Sequence, residues 1–427
     1  MSASPAAIPP SLWRDRRFRR FWAGQSISQF GDRISELALP LVAVGTLHAS
    51  AGQVAWLTAL VWTPNLLAIV LGAWVDGRAR KRRLMVRADL VQAAALLSLP
   101  AAWLWGAVTL AQLYAVALLT GAAAVISNTA GQPFFAHLVP RTSYVDANSK
   151  LGASRSASFI GGPAIGGVLV QVLTAPVAVV ADALTFLASA FLIGRIPIDE
   201  PPPVQDELAP SLLRRAKDGM TYVIRHPILR ATLGCAATVN FFTFIAGTGL
   251  IVLFATRNLG LTAGVIGTAF GIGASGALLG AVIAPRLARR IGVGRSIAVG
   301  AVLFPVPIAL VAAAGGPMWT RTGALGAAEF LSGFGVMLFD VNLNALQTSV
   351  IPDGMRSRVA GAYSTLNYGI RPLGALVGGF LATTLGLRET LVIGAAGGAL
   401  SLLWLLPSPV LGIHSLAPDR AEQPALS

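Results

Sequence analysis

The chain has 427 residues, of which 55% are hydrophobic and only 12% are charged, and it carries a net charge of +14. A soluble domain carries roughly 25% charged residues, so this chain has too little polar material to clothe a water-facing surface, and lipid is the solvent that suits it. A balance of +14 would suggest nucleic acid in a soluble protein, but here the charges fall in short clusters between long apolar runs, and no nucleic-acid partner is expected.

The N-terminal stretch 1–20 is polar and basic, and an apolar run follows it with no cleavage-like site, so it reads as a retained tail before a first membrane helix. A bilayer-spanning helix needs about 20 apolar residues. Runs of that kind lie at 21–47, 53–75, 84–106, 109–131, 146–172 and 175–195, and again at 229–256, 264–285, 294–314, 322–345, 357–384 and 388–407. The expected class is an all-α integral membrane protein with twelve transmembrane helices in two six-helix bundles, 21–195 and 229–407. Between them, 196–228 opens with Pro201, Pro202, Pro203 and acidic Asp199, Glu200, Asp206 and Glu207. It then turns amphipathic over Leu212 to Ile224, as expected of a cytoplasmic linker with a surface helix. Residues 408–427 read as a C-terminal tail.

Basic loops stay on the cytoplasmic side of a membrane. With the N-terminus inside, the outer loops receive only Arg257, Arg321 and Arg388 of the 32 Lys and Arg residues. That asymmetry predicts a plasma-membrane protein with both tails cytoplasmic. The halves also repeat. Leu138-Val139-Pro140 aligns with Val350-Ile351-Pro352, and at the same offset Gly162-Pro163-Ala164-Ile165-Gly166-Gly167 aligns with Gly374-Ala375-Leu376-Val377-Gly378-Gly379. Repeated halves of this kind hold substrate at their interface, near the membrane midplane.

Three patterns carry chemistry. The first closes the second span, with Gly72, Asp76, Arg78, Arg82 and Arg83. Gly72 admits a neighbouring helix, and Asp76 at a helix end suits a neighbouring helix N-terminus. A plain basic topology cluster would show the arginines without that Gly–Asp spacing. The second is the Gly162-Pro163-x-x-Gly166-Gly167 run. Its proline bends the helix and its glycines permit close helix contact, which an ordinary packing face would also need. The third is a set of ionisable residues within apolar spans. Asp32, Arg33 and Glu36 fall in the first, and Arg155, Asp182, Glu329, Asp340 and Arg371 in others. Such residues are costly in lipid and normally face a cavity or a partner. A carboxyl group that alternates between a dry and a wet environment takes up and releases a proton. Asp32, then Glu36 and Glu329, are the proton-coupling candidates, with an internal ion pair from Asp32 to Arg371 or Arg155 as the structural alternative.

The first two patterns resemble the loop signature and the antiporter signature of the major facilitator superfamily. In the loop, Gly77-Arg78 stands where an Arg-x-Gly order is usual. The opening Phe21-Trp22-Ala23-Gly24-Gln25-Ser26-Ile27-Ser28-Gln29-Phe30-Gly31-Asp32 is similar to the enterobactin-exporter and macrolide-efflux branch of drug–proton antiporters. The resemblance implies the major facilitator fold, with two bundles related by a pseudo-two-fold axis. It also implies a monomer, in contact with lipid, that exports a siderophore or antibiotic-like molecule against protons. The loop residues would form a latch, and Gly162, Pro163, Gly166 and Gly167 a seal. One departure matters: many such antiporters carry an arginine in the fourth span, and 109–131 has none.

Polar groups expected at the cavity are Gln29, Asn65, Arg155, Asn240, Asn344, Asn367 and Arg371. Trp62, Trp74, Trp103, Trp105 and Trp319 are assigned to the lipid interface, where Trp is enriched. Gly271-Ile272-Gly273-Ala274-Ser275-Gly276 matches a dinucleotide fingerprint, but it lies in an apolar run with no preceding strand, so it reads as helix packing. Only three lysines occur (Lys81, Lys150, Lys217), none in a P-loop, and no ATP-driven motor of that kind is expected. The single Cys235 excludes an internal disulfide, and His48, His137, His226 and His414 show no metal-ligand spacing, so neither metal nor cofactor is expected. The alternatives to an exporter are a proton-coupled importer of the same fold and a membrane-embedded lipid-modifying enzyme. The enzyme would need an interfacial cluster of catalytic groups that the sequence lacks.

Overall fold

A computed structural model describes residues 12–198, 200, 212–352 and 355–415. Tail residues 1–11 and 416–427, and linker residues Asp199, Pro201–Pro203, Asp206 and Glu207, lie outside that set. The described residues are helical throughout, without a strand.

Each predicted span is occupied by a helix or by two helices in line. The first half comprises α1 (Arg16–Leu41), the pair α2 (Ala51–Trp62) and α3 (Ala68–Asp76), α4 (Lys81–Leu104), α5 (Leu110–Leu138), α6 (Tyr144–Leu173) and α7 (Ala175–Gly194). The linker helix is α8 (Leu212–Arg225). The second half comprises the pair α9 (Pro227–Ala246) and α10 (Thr248–Arg257), then α11 (Ala263–Ile291). It continues with α12 (Val293–Leu303) and α13 (Ile308–Ala313), α14 (Met318–Val350), α15 (Arg356–Thr384), and α16 (Leu387–Ala399) with α17 (Leu402–Leu405). Eight spans pass on length and hydropathy alone. The other four fall short for visible reasons. α1 and α15 carry internal charges, and the α2–α3 and α16–α17 spans are interrupted.

Local chemistry sets these boundaries. The Asp15 carboxylate caps α1 by accepting from the Arg17 amide at 2.8 Å. Ser50 and Gln53 form a reciprocal capping box at the start of α2. Between α2 and α3 the chain tightens into a 3-10 turn around Pro64, which has no amide to donate. At Gly247 the backbone takes φ +44°, a left-handed value that suits glycine, and this bends α9 into α10.

The connections between spans lie at two ends of the molecule. One end, here the terminus end, holds the starts of α1, α6, α9 and α15 and the linker. The other, the turn end, holds residues 42–50, 105–109, 258–262 and 314–317. Within the first half α1 packs on α6 and α7, and α4 packs on α5 and α7. Within the second, α11 and α12 pack on α14, and α9 packs on α15 and α16. Large apolar side chains such as Trp105, Val172, Phe191, Phe380 and Leu403 face outward, as a lipid-facing surface requires.

The dinucleotide-like run serves packing. A Cβ added to Gly273 would meet Glu329, and one added to Gly276 would overlap the Phe330 carbonyl, so these glycines let α11 lie directly on the α14 backbone. Gly276→Ala is therefore expected to cost about 1–3 kcal/mol by overpacking, read as a lowered thermal midpoint of the detergent-purified protein.

Candidate functional site

The two halves meet chiefly through α6 on α11 and α2 on α15, and their contacts concentrate toward the turn end. The Arg257 Nη2 donates to the Ala49 carbonyl at 2.9 Å, and Thr262 Oγ1 donates to Gln171 Oε1 at 3.3 Å. Gly167 and Gly267 touch backbone to backbone: a Cβ on Gly167 would lie 2.6 Å from the Gly267 Cα and 2.9 Å from the Ala263 carbonyl.

The glycine-rich run has two faces. Gly162 and Gly166 rest on α1, at Arg33 and Ile34, while Gly167 and the Pro163 carbonyl rest on Gly267 of α11. The partial copy repeats the arrangement. Gly374 and Gly378 rest on the α9 backbone at Phe241 and Ile245, and Gly379 rests on Ala55 of α2. In each half, glycines four apart seat the helix on that half's own first helix. The next residue meets the opposite half's second helix. This is the pseudo-two-fold axis expressed in single residues.

The ionisable residues divide into three groups. Asp32 lies in the middle of α1 and is nevertheless exposed rather than packed against a neighbouring helix. Beside it, Arg33 Nη1 donates to Glu36 Oε2 at 2.6 Å, and its guanidinium lies 4.8 Å from the Phe159 ring of α6. The first-span arginine thus takes its own neighbour, rather than Arg371 or Arg155 pairing with Asp32.

The second group is buried in the first half. Asp182 on α7 accepts from Ser35 Oγ of α1 and from Thr185 Oγ1 at 3.2 Å. Asp89 on α4 accepts from Ser189 Oγ at 2.7 Å. Asp182, Thr185 and Ser189 share one face of α7 and tie it to α1 and α4. Gly31 leaves the room this needs, since a Cβ there would overlap Asp182 Oδ1. These partners escaped sequence reasoning, although serine and threonine within apolar runs are a usable signal for them.

The third group centres on Arg371 of α15. Its Nε donates to Asn240 Oδ1 at 2.9 Å, and Asn240 Nδ2 donates to Asn367 Oδ1 at 2.9 Å. Its Cζ lies 4.2 Å from the Trp62 ring, 4.4 Å from Tyr368 and 4.9 Å from Phe244. Trp62 therefore points into the interface between the halves and stacks on Tyr368 at 6.1 Å, which corrects its assignment to the lipid belt. Trp105 and Trp319 are exposed near helix ends, as expected of that belt.

The structure thus brings Asn240, Asn367 and Arg371 into one hydrogen-bonded set. Asn65 instead serves its local turn, donating to the Trp62 carbonyl at 3.2 Å. Gln29 has a buried Oε1 without a hydrogen-bond partner among the described residues. Glu329 is partly buried beside Gly273, and Arg155 and Asn344 are exposed.

With two pseudo-symmetric bundles around a polar centre described, the chain can be placed among known proteins. The sequence profile described as Major Facilitator Superfamily matches residues 21–375. The chain belongs to this superfamily. Among curated relatives, the multidrug efflux pump Tap of Mycolicibacterium fortuitum is 27% identical, over 88% of this chain and 90% of its own. Among solved structures, a bacterial homologue of the iron transporter ferroportin in its inward-facing state superposes with TM-score 0.74 at 17% identity, covering 92% of this chain and 98% of the other. Its outward-facing state matches with TM-score 0.60 over the same shares and at the same identity.

The superfamily loop after α3 is held within its own half. Gly72 lies 3.7 Å, at the position of an added Cβ, from Thr129 of α5. Arg78 lies 4.8 Å from the Trp74 ring, and Arg83 is exposed. Arg82 Nη1 donates to the Ile196 carbonyl. The Lys81 and Arg82 amides, at the α4 N-terminus, donate to the two carboxylate oxygens of Glu200, the second at 3.0 Å. An anion at a helix N-terminus is favoured by the dipole and by unsatisfied amides. The superfamily's loop therefore anchors the linker, a role sequence reasoning did not assign to Glu200. The Asp76 side chain lies outside the described set.

Proposed function

We propose that this superfamily transporter exports an amphipathic small molecule, siderophore-like or antibiotic-like, by alternating access in exchange for protons. The observation that carries the reading is the similarity, over 88% of the chain, to a multidrug efflux pump. The bundles 21–195 and 229–407 rock against each other about the polar centre. The Lys/Arg distribution supports a cytoplasmic position for the terminus end and a plasma-membrane location in a bacterium. The halves join at the turn end, so the form described is open to the cytoplasm, where an exporter loads. The better superposition on the inward-facing form of the ferroportin homologue accords with that state.

Proton exchange is assigned to Asp32. It is water-accessible at mid-span and, among the described residues, has no ion pair within 4 Å. Glu36 is neutralised by Arg33, and Glu329 sits against the α11 backbone, so each is secondary. One chain supplies both walls of the cavity, which supports a monomer. The loop residues Gly72, Asp76, Arg78, Arg82 and Arg83 act as the latch of the opposite state, and Gly162, Pro163, Gly166 and Gly167 as the pivot. Inverted membrane vesicles test the reading. Accumulation of exported compound is expected when the vesicle lumen is more acidic than the medium, so that protons leave as the compound enters, and is expected to vanish when an uncoupler collapses that gradient. Accumulation unchanged by the uncoupler would exclude proton exchange.

A further inference from the structure

We propose that Arg371, framed by Trp62, Phe244 and Tyr368, is the docking site for an oxyanion (carboxylate, phosphate or sulfonate) on the transported amphiphile, and that the site is complete only while the turn end is closed. The proposal rests on the transport reading above and adds a substrate class to it.

Three observations carry it. Arg371 is a guanidinium inside a membrane span, where a charge persists only with compensation. No carboxylate of the described residues lies within 4 Å of it; Asp340 and Glu36 act on it only from a distance. Its compensation comes instead from three ring faces at 4.2–4.9 Å. Rings leave the edge of a guanidinium free. Nε is committed to Asn240, and neither terminal nitrogen has a hydrogen-bond partner among the described residues. Neither is sealed from water. Four N–H groups in a planar fork therefore remain for a ligand, held in place by the Asn367–Asn240–Arg371 chain. A planar fork of that kind matches an oxyanion bidentately. The exposed faces of Tyr368 and its neighbours offer the adjoining apolar body of an amphiphile a surface to stack on.

The frame also crosses the two halves. Trp62 comes from α2 of the first half, whereas Arg371, Phe244, Tyr368 and both asparagines come from the second. Rocking that parts α2 from α15 removes the nearest ring. The cation then loses one wall of its frame, and a bound oxyanion loses the stacking surface beside it. Affinity falls as the turn end opens, which is the direction an exporter needs for release.

Calorimetric titration of the detergent-purified full chain tests this with three matched probes: 2-naphthoate, 2-naphthyl phosphate and (2-naphthyl)methylammonium. The anions are expected to bind saturably, and Arg371→Gln to weaken them about tenfold or more, the loss of a charge-assisted hydrogen-bond pair. Ammonium binding should not change. Arg371→Lys keeps the charge without the fork and should fall between. Trp62→Leu should weaken the anions a few-fold, and these two variants carry the test if Arg371→Gln does not fold. Displacement of naphthoate by phosphatidylglycerol in mixed micelles would assign the oxyanion to a lipid headgroup, and its persistence to a free solute. Equal naphthoate affinity in the parent and Arg371→Gln, or a parent that takes only the ammonium or neither anion, overturns the proposal. Gradient-dependent export in vesicles stands or falls separately.

Discussion

Asp32→Asn is expected to abolish gradient-driven transport while leaving the protein folded and able to exchange substrate across the membrane without a gradient. The carboxamide keeps the size and polarity of the side chain but cannot take up and release a proton. Asp32 is exposed and, among the described residues, makes no side-chain hydrogen bond on which packing depends, so its loss should not disturb α1. The contrast is with Asp182, whose carboxylate ties α7 to Ser35 of α1 and is fully buried. Removing a partner from such a network leaves polar groups unsatisfied and costs about 1–3 kcal/mol. Counterflow of labelled substrate in proteoliposomes separates the two. Asp32→Asn should retain counterflow and lose accumulation. Undiminished accumulation would remove Asp32 from the mechanism.

Gly167→Leu is expected to block transport by preventing the turn end from closing. The atoms an added side chain would meet are backbone, the Gly267 Cα at 2.6 Å and the Ala263 carbonyl at 2.9 Å, and backbone inside two packed helices cannot swing aside. Overpacking of this kind costs about 1–3 kcal/mol, and here the cost falls on one of two states. The ratio of closed to open turn end should therefore drop about 5- to 150-fold. A carrier must visit both states, so turnover falls with the rarer one. By pseudo-symmetry Gly379→Leu, facing Ala55, should act in the same sense.

Much of this was legible in the sequence because hydrophobic length and glycine spacing are local properties. Runs of about 20 apolar residues marked the spans, and the two aligned glycine runs marked helix faces that permit close contact, without saying which helix each would meet. What was not legible depended on register between helices. Trp62 lies near the interrupted end of α2, and its residue type suggests a lipid belt. Only the placement of α15 beside α2 shows that it faces Arg371. Asp89 follows a basic cluster at the start of an apolar run and looks like a helix-end charge, until Ser189 is brought beside it from 100 residues away. Glu200 sits in an acidic, proline-rich stretch whose composition gives no hint that it caps α4.

Alternating access requires rocking, in which closing one end opens the other. Pulsed electron resonance on doubly spin-labelled protein measures this, in a Cys235→Ser background since the lone native cysteine is buried. One label pair spans the turn end at Gln171 and Thr262; the other spans the terminus end at the exposed positions His137 and Asn344. The parent should show a short first distance and a long second one. In Gly167→Leu the first should lengthen and the second shorten together. A first distance that lengthens while the second stays fixed would mean that the halves merely separate, and would contradict alternating access in this protein.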